Sequence, residues 1–147
     1  MSDATFQYPP SPHWRRWLGP ENRCVVPFNG LSEHLRDGTK LPVWFALDVT
    51  RPLACFAGIW TRWKSVRRVK EGGTSNDVFG FLTKEANREV GAIHPKAVPV
   101  NLRNREELDL WMTALSADAL KLQRPLPDDR RMIGARGPKQ DTAWLAK

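Results

Sequence analysis

Cysteine is scarce in this chain and tyrosine scarcer, with two cysteines and one tyrosine among 147 residues. Cys24 and Cys55 each sit in an apolar run, RCVVPF and LACFAG. They read as reduced, buried thiols, and two cysteines so far apart make no metal motif. Long hydrophobic runs are missing as well, so no segment approaches the length of a membrane span. The N-terminal MSDATFQYPP lacks the basic and then apolar regions of a secretory signal, which makes the cytoplasm the expected location. No Rossmann glycine fingerprint, phosphate loop, zinc spacing or HExxH occurs, and no repeat exceeds a dipeptide. Neither a cofactor nor a metal is therefore expected.

What the chain does contain is apolar residues, tryptophan and positive charge. Apolar residues make up 41% of the sequence and seven are tryptophans, enough to build a core and to exclude global disorder. Against 16 acidic residues stand 23 lysines and arginines, a formal charge of +7 that favours an anionic partner, nucleic acid first. The length suits one domain over residues 1–147, with flexible ends at about 1–10 and 136–147.

Read in order, Met1 to Pro12 is a polar, proline-rich, extended lead. Ser11-Pro12 predicts a short helix through Leu18 that carries Trp14 and Trp17 beside Arg15 and Arg16. Such a pairing stacks on bases and holds phosphates, or it rims a core with snorkelling arginines; the residues alone leave both readings open. Strands are predicted over Arg23 to Phe28, Leu41 to Leu47 and Leu53 to Trp60, with turns at Asn29-Gly30, Asp37-Gly38 and Asp48 to Pro52. Leu31 to Leu35, carrying Ser32, Glu33 and His34, follows a strand directly, a usual position for polar chemistry on a rigid scaffold.

TRWKSVRRVKEGGTSN, Thr61 to Asn76, gathers Arg62, Lys64, Arg67, Arg68 and Lys70 around Trp63 and ends in a Gly-Gly tip. It reads as a protruding hairpin or a mobile loop, and either as a solvated face or as a phosphate-contacting one. Val78 to Leu82 is strand-like and Lys84 to Val90 is compatible with helix, while His94 lies in a short apolar segment braced by Pro95 and Pro99. Leu108, Trp111, Met112 and Leu115 recur at helical spacing over Arg105 to Leu115, and Ser116 is placed to cap a further helix, Ala117 to Leu122. After that the chain offers a strand fragment at most. Strands in succession without helix-length linkers pair antiparallel, giving an α+β, mainly β domain.

RCVVPFNGLSEH, PVWFAL, LACFAGIW, FGFLTKEAN and IHPKAVPV occur in the order and approximate spacing of the SOS-response-associated peptidase (SRAP) family, which the chain resembles from about Asn22 to Trp111. The resemblance implies a barrel-like core of antiparallel strands with short peripheral helices. It implies, too, that the family's abasic-site chemistry is the reference. In that chemistry an N-terminal cysteine condenses through its amine and thiol with the aldehyde of an abasic site in single-stranded DNA, closing a thiazolidine. The family's glutamate matches Glu33 and its histidine matches His94, and a carboxylate paired with an imidazole suits the proton transfers of imine formation near neutral pH.

Several positions depart from the family pattern. Residue two is Ser2, and Met1 to Pro10 is too short for the family's Cys-Gly-Arg-Phe strand and Asn-x-Arg motif, so an N-terminally truncated fold is expected. Cys24 matches a structural cysteine, His34 stands where tryptophan is usual, and Lys96 replaces an arginine, losing its bidentate fork. The implied function is abasic-site sensing with thiazolidine formation impaired. Two other readings stand beside it, a non-covalent single-stranded DNA-binding module and a protein-interaction or dimerisation domain. The expected nucleic-acid contacts are Trp14, Arg15, Arg16, Trp17, Arg62, Trp63, Lys64, Arg67, Arg68 and Lys96, with single-stranded DNA, abasic sites included, as partner and a homodimer as a further expectation.

Overall fold

β-Branched and aromatic residues fill the runs between the turn signals, and those runs become strands. The computed structural model describes residues 4–6, 12–35, 38–66, 69–84, 98–124 and 133–136, with the backbone alone at 4–6, 71 and 133–136. Strand β2 (Arg23–Phe28) pairs antiparallel with β5 (Ala54–Ser65), and β5 pairs antiparallel with β6 (Thr74–Lys84). Strand β1 (Ala4–Phe6) lies parallel to β6, β7 (Val98–Pro99) antiparallel to β6, and β8 (Asn101–Leu102) antiparallel to β5. These six strands form one sheet. A second, antiparallel sheet holds β3 (Leu31–His34), β4 (Pro42–Ala46) and β9 (Ile133–Arg136), with β4 in the middle.

The mainly β, largely antiparallel architecture predicted from sequence is the one found, although among the described residues the sheets do not close into a barrel. The proline-rich lead contributes a strand of its own, β1, and Leu31–His34 is a strand as well. Pro27 is tolerated in β2 because that strand pairs only with β5 in the sheet path and sits at its edge.

Opposed residues of a ladder share a face, so Ile59, Thr61 and Trp63 of β5 stand on the same side as Gly80, Val78 and Asn76 of β6. That side carries the main core. Ala57, Ile59 and Leu82 bury there with Leu18, Val100 and Trp111, and the Trp111 indole donates to the Cys24 carbonyl at 2.9 Å. On the opposite side Phe28 stacks on Phe56 at 3.7 Å, and Phe81 meets both Phe56 and Phe79 edge-on at 5.6 Å.

Helices are short. Helix α1 (Pro12–Arg15) ends four residues in and continues as turns, with Trp17 N–H donating to Trp14 O and Leu18 N–H to Arg15 O. Helix α2 (Arg105–Thr113) buries Trp111 and packs Leu108 and Met112 against the core. Leu115 is not in that stripe: α2 stops at Thr113, so the helical period never carries Leu115 inward, and it is 77% exposed. Ser116 is likewise not the cap of the next helix but the first residue of α3 (Ser116–Ala119), because its hydroxyl donates to Leu18 O at 2.9 Å instead. A 3-10 turn, Leu120–Leu122, follows. Of the helix-compatible stretch, Lys84 ends β6, and 85–90 lies outside the described residues.

Candidate nucleic-acid interface

Alternation along β5 decides which candidate contacts meet. Trp63 points to the core side of the sheet, at its outer end, where α1 and its following turn bring Trp14, Trp17 and His13. The rings form a connected cluster: His13 meets Trp14 at 5.0 Å and Trp17 at 5.1 Å, while Trp63 meets His13 and Trp17 at 6.1 Å. The Arg16 guanidinium lies over the Trp17 ring, 4.4 Å from its centroid, and Arg15 is exposed beside it.

Of the two readings of Trp14 and Trp17, their packing is that of residues at the edge of the core. Trp14 and Trp17 pack against the core, whereas Trp63 is 41% exposed at the rim. Beneath the rings, Trp14, Trp17, Ile59, Thr61, Val78, Phe79 and Gly80 line a cleft of about 50 Å³, which suits a few waters and not a nucleobase. A base can therefore stack on the rim but cannot be swallowed.

Arg62 and Lys64 alternate to the opposite face from Trp63. Arg62 is also engaged: it sits directly across the ladder from Asp77 and donates to its carboxylate at 3.1 Å, an exposed pair. Lys64 is exposed near the hairpin end, where the β5–β6 ladder runs on to Ser65 and Thr74, so of the two readings, hairpin or mobile loop, the described residues show the hairpin. Arg67, Arg68, His94 and Lys96 lie outside the described residues.

Glu33 stands in the other sheet. It is half-buried in β3 opposite Val43, on the same side of the strand as Leu31, while Ser32 and His34 alternate to the exposed side. Cys24 and Cys55 are free thiols on β2 and β5. Burial pushes the Cys24 thiol pKa up, away from the reactive thiolate, in keeping with a structural role.

Two charged side chains essential to the packing carry no periodic signature in sequence. Arg23, 3% exposed, donates to the carbonyls of Leu18, Trp111 and Ala114 at 2.9, 2.6 and 2.7 Å, tying β2 to the C-terminus of α2. Glu107, 8% exposed, accepts from Arg103 and Arg124, and its backbone N–H donates to the Asn104 cap. The only signal was Asn104 followed three residues later by a glutamate, the spacing of a capping box.

A model of the SOS response associated peptidase (SRAP) family matches residues 7–134. The chain belongs to that family, and the match extends the resemblance read from the motifs at both ends. None of the curated proteins matches it. Among solved structures, a protein of Bacteroides thetaiotaomicron superimposes with a TM-score of 0.72 at 24% identity, over 92% of this chain and 58% of that one. A protein of Bordetella bronchiseptica gives 0.70 at 21% identity, over 91% of this chain and 64% of that one. The fold is thus shared with both, and the chain spans less than two thirds of either. No helix among the described residues is long and apolar enough to cross a membrane.

Proposed function

We propose that this SRAP-family chain binds single-stranded DNA, abasic strands included, without forming the family's thiazolidine. The observation that carries the reading is the aromatic cluster of His13, Trp14, Trp17 and Trp63, rimmed by Arg15 and Arg16. An exposed indole offers a stacking surface to any base, and neighbouring guanidinium groups neutralise phosphates without reading sequence. Thiazolidine closure needs an amine and a thiol on one residue, and neither Cys24 nor Cys55, both within strands, carries a free α-amine.

A denaturing gel after incubation with single-stranded DNA carrying one abasic site separates this from the covalent alternative. The expected result is no shifted band without reductant, alongside native binding whose log K falls with log salt at a slope of about −2, as for roughly three phosphate contacts. A band that survives denaturation unreduced contradicts the non-covalent reading.

A further inference from the structure

The β5–β6 hairpin outgrows the sheet that carries it. Pairing of β5 with β2 stops at Ile59 opposite Arg23, and pairing of β6 with β1 stops at Gly80 opposite Ala4. From Trp60 and Phe79 outward, neither strand has a second neighbour among the described residues. The cross-strand pairs from Trp60–Phe79 to Ser65–Thr74 therefore form a two-stranded blade about 17 Å long with both edges open.

Alternation puts an indole on each flank of this blade. Trp63 stands on the core-side face, and Trp60, 39% exposed, stands on the opposite one in line with Arg62 and Lys64. The two tryptophans are about 10 Å apart along β5. Where the strand leaves the sheet, the Trp60 carbonyl accepts from Asn22 Nδ2 at 3.0 Å, which anchors the base of the blade. Charge is one-sided as well: from Trp60 to Phe79 the sequence holds five basic residues, Arg62, Lys64, Arg67, Arg68 and Lys70, against Glu71 and Asp77. Arg62 reaches Asp77 through Nε in an exposed pair, and neither its Nη groups nor Lys64 is engaged by a described residue.

We propose that a single DNA strand wraps this blade, crossing the open edge of β5 from Trp63 to Trp60, with a base stacked on each indole and Lys64 and Arg62 holding phosphates on the Trp60 face. This second face rests on the single-stranded reading above and extends it. Indoles on both flanks select unpaired bases, because a duplex keeps its base faces stacked internally and offers neither ring a partner. Lys64 and Arg62, two residues apart on one face, lie about 7 Å from each other along the strand and so serve successive positions of an extended backbone.

The test is the anisotropy of a labelled single-stranded oligonucleotide of about a dozen nucleotides, titrated at low salt with the whole chain and its variants. Trp60→Leu, which keeps an apolar side chain but no ring, is expected to raise Kd at least about fivefold, and Trp60→Phe to retain most of the binding. Lys64→Gln, at an exposed position, reads the same face independently and is expected to make the slope of log K against log salt shallower by about 0.7. Affinity lost in Trp63→Ala but unchanged in Trp60→Leu, or an unchanged salt slope in Lys64→Gln, overturns the second face and leaves the single-stranded reading standing. No binding by the wild type at low salt overturns both. A duplex of the same sequence that binds as tightly as the single strand overturns stacking on Trp60.

Discussion

At the scale of single residues, two positions hold more of the fold than their types suggest. Arg23 lies in what reads as a buried apolar strand, yet its guanidinium satisfies three carbonyls, two of them at the C-terminal end of α2 and beyond. Replacing it with methionine keeps the bulk and orphans those acceptors. Arg23→Met is expected to cost about 3 kcal/mol, read as a fall in the urea midpoint. Gly58 is the second. A Cβ there meets Cys24 Sγ at 2.9 Å and the Gly80 carbonyl at 3.3 Å, and a backbone oxygen in a sheet ladder has little room to yield. Gly58→Ala is expected to cost about 1–3 kcal/mol by the same measurement. Neither role could be read from sequence, because each depends on a partner far along the chain: Trp111 for Arg23, and Gly80 for Gly58.

At the scale of elements, helical period located α2 and apolar runs located β2, β4 and the inner halves of β5 and β6, where burial is continuous from Phe56 to Ile59 because both faces of the sheet are covered. Pattern reading missed β3, four residues long, whose polar Ser32, Glu33 and His34 show no apolar alternation even though the backbone pairs with β4. It also ran α2 on to Leu115, where the chain had already turned. Within the basic run around Trp63, strand alternation sends Arg62 and Lys64 to the other face, a separation that composition alone does not show.

The end of β6 makes a pH prediction. The folded Lys84 pKa is lowered to about 8 from a reference of 10.5, so the charged form is penalised in the folded state. Between those values the unfolded chain binds more protons than the folded one, and this group's contribution to stability therefore rises with pH. The penalty is complete below about pH 8 and fades toward pH 10.5. The stability of the wild type relative to Lys84→Met is expected to improve as pH is raised through that window; a constant difference contradicts it.

At the scale of the whole molecule, one sheet faces two ways. Its core side packs the helices and, at one end, presents the tryptophan rim; Glu33 belongs to the other sheet. Family and fold class were legible in the motif order because those motifs are the strands that build the sheets, which the match over residues 7–134 bears out. The joining of Trp14 and Trp17 to Trp63 was not legible, since it is a tertiary contact between residues more than forty positions apart in the chain.

The most direct measurement is the anisotropy of a labelled single-stranded oligonucleotide titrated with wild type and Trp63→Ala at low salt. Stacking on an exposed indole is worth about 1–3 kcal/mol, so the account predicts a Kd raised at least fivefold, with Tm changed by no more than about 2 °C. Equal affinity in the two proteins, or no binding by the wild type at low salt, contradicts it.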